Sequence, residues 1–213
     1  MTETRVERKE RTRRAILDAA LELCETQPLA ALSLRQVAKQ VGVVPTAFYR
    51  HFESIDELGL ALVDESFTSL RELLRSARTF DSPPASDRAL FLAIVDNSVK
   101  ALVSHVPKAE RHFRFIARER LAGSVPVRAA VRHQLELIER ELATDIARVP
   151  GAGGWSGEDL LILANLLVNA MLSHAEELAL AGGREDVVRR IEGVARRQLH
   201  IVLIGALSWD SSR

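Results

Sequence analysis

Apolar residues recur at helical intervals along almost the whole of this 213-residue chain. No segment keeps the strict alternation of a half-buried strand, so the pattern predicts an all-α protein. The first predicted helix, Ala15 to Cys24, turns Ile16, Leu17, Ala20, Leu21 and Leu23 inward. A second opens after Ser33, which forms a capping-box pattern with Gln36; Leu34, Val37 and Ala38 give it one apolar face, and Gly42 stops it. A third runs from Pro45, suited to a first helical turn, to His51, and buries Phe48 and Phe52. It is about two turns long and marginal alone, so its neighbours must hold it. Ser54 and Glu57 form another capping box, opening a long helix through Leu58, Leu62, Leu70 and Leu74. A Ser/Pro-rich hinge, 79–86, leads to predicted helices over 87–104, 108–120, 125–148, 157–181 and 185–208, with loops at Gly123-Ser124, 150–154 and Gly182-Gly183.

Two short helices joined by a glycine turn, near the N-terminus, outline a helix-turn-helix. The expected division is a three-helix DNA-binding domain over 1–53 and a larger helical domain for ligand binding and dimerisation over 54–213. On the third helix, Tyr49 and His51 can donate to phosphate, Arg50 can reach phosphate or a guanine edge, and Thr46 and Ala47 are small enough to approach a thymine methyl. Upstream, Arg5, Arg8, Lys9, Arg11, Arg13 and Arg14 stand against Glu7 and Glu10 in a basic arm that suits backbone positioning. The bland alternative is a helical hairpin with a polar surface; the basic arm favours DNA. The candidate DNA-contacting set is Arg13, Ser33, Arg35, Val44, Pro45, Thr46, Ala47, Tyr49, Arg50 and His51.

The run R-x-x-I-L-D-A-A-L-x-L, then L-S-L-R-Q-V-A, then G-V-V-P-T-A-F-Y-R-H-F and D-E-L, resembles the DNA-binding domain of the TetR family of bacterial repressors. V-P-T-A-F-Y-R-H-F followed by I-D-E-L-G-L-A-L-V-D-E-S is similar to one branch, the unsaturated-fatty-acid regulators FabR and DesT. Residues 113–120, 123–128 and the terminal Gln198-Leu199-His200…Ile204-Gly205…Trp209 also resemble that branch. Many TetR-type proteins have serine where Val44 stands; the apolar residue before Pro45 is shared with the branch. The resemblance implies a homodimeric repressor of fatty-acid desaturation or synthesis genes, binding a palindromic operator and modulated by long-chain acyl-CoA or an acyl-carrier thioester. The alternative is a TetR-type sensor of another lipophile, controlling an efflux or catabolic gene.

Composition narrows this picture. Apolar residues make up 47% and charged residues 27%, enough for a core and for solubility. The 29 basic and 29 acidic residues cancel, which hides the basic arm. The apolar runs are too short to span a bilayer and no signal segment opens the chain, so a cytoplasmic protein without membrane contact is expected. Cys24 alone supports neither a disulfide framework nor a cysteine metal cluster and reads as a small core residue. The histidines form no metal-binding pair, and there is no G-x-S-x-G elbow or P-loop; no enzyme, metal or cofactor is expected.

The last two helices are apolar over most of their circumference and need cover on both sides, either from a second copy as a four-helix bundle or from a thick monomeric core. For the ligand, Arg111, Arg114, Arg118, Arg120, Arg128 and Arg132 interleave with Phe113, Phe115 and Ile116. That pattern suits an amphiphile with an apolar tail and an anionic head; it also describes an ordinary core helix with a solvated arginine face. Asn165, Asn169 and His174, on a largely apolar helix, can satisfy one another, line a pocket or sit at a dimer seam. The candidate ligand set is Phe67, Phe113, Arg114, Arg118, Leu163, Leu167, Asn169 and Met171.

Overall fold

The structure is a computed structural model that describes residues 4–78, 87–149 and 154–211. Every regular element among them is helical: α1 (Arg5–Leu23), α2 (Leu34–Val41), α3 (Pro45–Phe48), α4 (Ile55–Ala77), α5 (Asp87–His105), α6 (Glu110–Ala122), α7 (Val125–Ile146), α8 (Gly157–Leu180) and α9 (Glu185–Leu207), with 3-10 turns at Leu29–Ala31 and Val106–Ala109. The expected all-α class holds, with a helix-turn-helix in the N-terminal region and a helical C-terminal region. The hinge expected over 79–86 and most of the loop expected over 150–154 lie outside the described residues.

One boundary differs markedly. α1 starts at Arg5, not Ala15, because Thr4 and Glu7 form a reciprocal capping box: the Glu7 N–H donates to Thr4 Oγ1 at 3.2 Å and the Thr4 N–H to Glu7 Oε2 at 2.7 Å. The basic arm is therefore the exposed first part of a helix, which orders its arginines along one rod.

Packing divides the chain into two compact units, residues 1–68 with 114–132 and residues 69–113 with 133–213. This division follows contacts, whereas the expected boundary at residue 53 follows chain order. In the first unit, Ile16, Ala20, Val37, Phe48, Phe52, Leu58 and Leu62 form a buried core. Gly59 permits a close helix approach: a Cβ there would lie 2.4 Å from Leu29 Cδ2 and 2.7 Å from Val127 Cγ2. The C-terminal part of α6 is tied to the chain after α1. Arg118 donates to the carbonyls of Cys24 (2.6 Å) and Glu25 (3.2 Å), and Glu119 Oε1 accepts the Leu29 N–H at 3.0 Å.

In the second unit α5 and α8 pack against α9, and Val95, Val99, Leu102, Ala164, Ile191 and Ala195 are buried. Each large aliphatic group so buried contributes about 1.5–3 kcal/mol. The far sides of α8 and α9 are not covered: Ile162, Leu166, Ile201 and Ile204 are all more than half exposed.

Candidate functional site

The reader is built from α2, a glycine turn and α3. Ser33 Oγ accepts from the Gln36 N–H while Gln36 Oε1 accepts from the Ser33 N–H, so α2 starts where the sequence predicts. Gly42, at φ 75° and ψ 27°, ends it in the left-handed region, and the Val43 N–H returns to the Ala38 carbonyl at 3.0 Å. This closing pattern lets the chain reverse without leaving carbonyls unsatisfied. α3 is shorter than predicted: it spans Pro45–Phe48 and loosens into a turn through His51, whose N–H bonds the Phe48 carbonyl at 2.8 Å. Val44 offers no side-chain cap to it.

Phe48 and Phe52 are fully buried with ring centroids 5.9 Å apart, and they fix which face of this segment turns outward. Val44, Pro45, Thr46, Tyr49 and Arg50 are exposed, Ala47 and His51 half-buried, and Ser33 and Arg35 lie exposed at the start of α2. These nine candidate DNA contacts are thus accessible together. Arg13 is placed differently. Its Nη1 donates to the His51 carbonyl at 3.1 Å and its guanidinium stacks over the Phe52 ring at 4.3 Å from the centroid. Arg13 is a strut under the end of the reader, not an open cation. Burial, reinforced by the charges of Lys9 and Arg13, lowers the pKa of His51 below its ordinary 6.5, which favours a neutral imidazole.

The second unit holds a cavity of about 410 Å³, in the range of small-molecule sites. Phe113, Leu163, Leu167 and Met171 line it, as the ligand set requires. Phe67, Arg114, Arg118 and Asn169 do not. Phe67 is fully buried in the first unit, and Arg118 is committed to the two carbonyls at the end of α1. Arg114 lies 3.8 Å from the Glu25 carboxylate. Asn169, exposed, donates to the Asn165 carbonyl, and Asn165 to Glu139. A helix with arginines on one side and aromatics on the other thus turns out to be a core helix whose cations grip backbone carbonyls and a carboxylate. His174 is buried, its Nε2 2.6 Å from Gln198 Oε1.

The cavity's polar wall lies outside the predicted ligand set. Arg78, just past the end of α4, and Asp145, near the end of α7, line it, and so do Ser98 and Trp155. Their signal in the sequence is weak, since charged residues at helix ends are ordinary. Cys24 is buried, and burial beside Glu119 pushes its thiol up to about 12, as suits an inert core residue. Among the described residues no cluster of histidine, cysteine and carboxylates could hold a metal, and no helix is long and apolar enough to cross a membrane.

Residues 16–62 match the family described as bacterial regulatory proteins, tetR family. Solved structures share the fold over nearly the whole chain. A transcriptional regulator from Rhodococcus sp. Rha1 is 25% identical with a TM-score of 0.59, over 92% of this chain and 96% of that one. The SmeT–triclosan complex is 20% identical with a TM-score of 0.62, over 91% and 90%. The multidrug binding protein EbrR, complexed with imidazole, is 18% identical with a TM-score of 0.58, over 89% and 93%. The match covers the helix-turn-helix region and the solved structures share the fold of the chain, so on both counts the likeness is to TetR-type transcriptional regulators and not to enzymes.

Proposed function

We propose that this TetR-type regulator is a dimeric repressor whose operator binding is set by a long-chain acyl group, carried as acyl-CoA, in the cavity of its second unit. The observation that carries this reading is the apolar cavity itself, in the same chain as an exposed helix-turn-helix. Its alkyl and aromatic lining suits a fatty chain, and the resemblance to unsaturated-fatty-acid regulators supports genes of desaturation or synthesis as targets. Because Arg114 and Arg118 are engaged elsewhere, this pair does not cradle the CoA phosphates, and recognition rests on the acyl end. Residues 1–53 read DNA in this scheme and residues 54–213 sense and dimerise. The exposed apolar stripe of Ile162, Leu166, Ile201 and Ile204 supports a second copy as its cover, which sets two readers about one DNA turn apart on a palindrome. The acyl group acts by binding the DNA-fitting and DNA-misfitting states unequally, and operator and effector affinities then change by reciprocal factors.

A second reading, a sensor of other lipophiles governing an efflux or catabolic gene, draws on the triclosan and multidrug ligands of the similar structures. Fluorescence anisotropy on a labelled fragment of the gene's own upstream region separates the two. At fixed salt, oleoyl-CoA is expected to shift operator affinity, and a lipophilic cation is not. A response to the cation alone would favour the second reading; a fragment that does not bind at all would remove DNA control of the neighbouring gene.

A further inference from the structure

Resting on the reading of this cavity as a lipophile site, the geometry points to a further specificity: Arg78 and Asp145 select a ligand whose polar end is uncharged. Alkyl and aromatic side chains make up most of the cavity wall, and among the described residues these two are the charged groups in it. An apolar tail gains nothing against an ion pair, so the ligand's polar end belongs beside them.

What that end can be follows from the charges already there. Arg78 Nε lies 2.7 Å from Asp145 Oδ2, and its Nη2 lies 3.9 Å from Glu141 Oε2. Arg148 Nη1 approaches Asp145 Oδ1 at 3.4 Å. Two guanidinium groups and two carboxylates cancel. A carboxylate head would leave one negative charge unmatched beside an apolar wall, and an ammonium head one positive charge; with Arg78 and Asp145 44% and 37% exposed, solvent screens part of that cost and leaves the rest. A neutral head preserves the balance.

Hydrogen-bonding capacity agrees. Asp145 Oδ2 is closed off by the protein and meets Arg78 Nε there, while the Asp145 side chain as a whole stays 37% exposed; Oδ1, with Arg148 at a long 3.4 Å, is the oxygen left to a ligand. The Arg78 Nη groups retain donor capacity, because a guanidinium carries five N–H bonds and the Glu141 contact is long. A hydroxyl can accept from Arg78 and donate to Asp145, and an ester or thioester carbonyl can accept from Arg78. The ligand class is therefore a long apolar chain ending in a hydroxyl, ester or thioester, with free fatty acids and alkylammonium ions excluded. An acyl thioester fits if its charged carrier stays outside.

The test uses the full chain with Trp209→Phe, so that the fluorescence of Trp155, which lines the cavity, reports binding. Dodecanol, dodecanoate and dodecylammonium, matched in tail, are titrated at neutral pH. The expected order places dodecanol about tenfold or more tighter than either ion, tenfold being about 1.4 kcal/mol. Asp145→Asn, which removes one negative charge, moves the preference toward dodecanoate, and Arg78→Gln moves it toward dodecylammonium. Dodecanoate binding as tightly as dodecanol, or a ratio unmoved by both substitutions, overturns the head-group assignment while leaving the cavity as a lipophile site. No response to any of the three overturns the lipophile site, and the assignment with it. A melting scan of each variant confirms that the ratios are compared between folded proteins.

Discussion

Around the reader, in residues 1–68 and 114–132, several polar side chains are held by directional bonds to backbone. Arg118 grips two carbonyls, Glu119 is sealed against the Leu29 amide, Arg13 braces the His51 carbonyl, and Gly59 leaves no room for a methyl group. In residues 69–113 and 133–213 alkyl and aromatic groups surround a cavity of about 410 Å³, and charges gather at one part of its wall. The difference teaches what each task needs. Base reading depends on side chains held in fixed positions, so directional bonds dominate. A lipophile site needs unoccupied apolar volume, which non-directional packing tolerates and a hydrogen-bonded lattice does not.

Glycine substitutions give the sharpest test of that contrast. Gly59→Val forces a side chain against Leu29 and Val127 and is expected to destabilise by about 1–3 kcal/mol in urea unfolding, as overpacked cores do. Gly193→Ala, in α9 with nothing within 4 Å of its added Cβ, should instead stabilise by about 0.5–1 kcal/mol through helix propensity. Similar effects at both sites would erase the contrast.

Arg13→Ala removes a hydrogen bond and a cation–π contact, and about 1–2 kcal/mol of stability should go with them. A drop in operator affinity alone, at unchanged melting temperature, would restore Arg13 as a direct DNA contact.

Glu119 offers a pH signature. Burial raises its pKa above the ordinary 4.5, against the opposing pulls of the Leu29 amide and Arg118. The folded state therefore holds this proton more tightly than the unfolded chain. Its contribution is complete below pH 4.5 and is lost as pH rises through the raised value. Glu119→Gln should be more stable than the parent at neutral pH, by on the order of 1 kcal/mol, with the advantage vanishing in acid. Urea midpoints measured across this range in both proteins check it, and parallel profiles would show that Glu119 does not titrate there.

The smallest change in stability is expected at the exposed reader surface. Tyr49, with more than half its surface open, can lose its hydroxyl as Tyr49→Phe with the melting curve nearly unmoved, within about 0.5 kcal/mol of the parent. Operator affinity should fall by about 1 kcal/mol if the hydroxyl donates to phosphate; an unchanged affinity would take Tyr49 out of the interface.

How far the sequence alone reached depended on whether a signal was local. Ser33 with Gln36, Gly42, Pro45, and the Phe48–Phe52 spacing act within one or two turns, so the helix-turn-helix could be read from them and the structure reproduces it. The same is true of the helix opened at Ser54. The Thr4–Glu7 box is equally local, but it stands at the edge of a run of arginines whose charge masks the capping signal. Phe113, Leu163, Leu167 and Met171 were readable as inward-facing residues, but periodicity cannot distinguish a cavity wall from solid core.

The chain by itself determined the helical class, the glycine turn and the outward set from Val44 to Arg50, because propensity, capping and apolar spacing are properties of near neighbours. Tertiary structure alone decided where the arginines of α6 point and that Arg78 meets Asp145 across 67 residues. A charged side chain is satisfied by whatever partner packing brings within a few ångströms. For Arg118 that partner was two carbonyls 94 and 93 residues away, and nothing in the sequence around it records them.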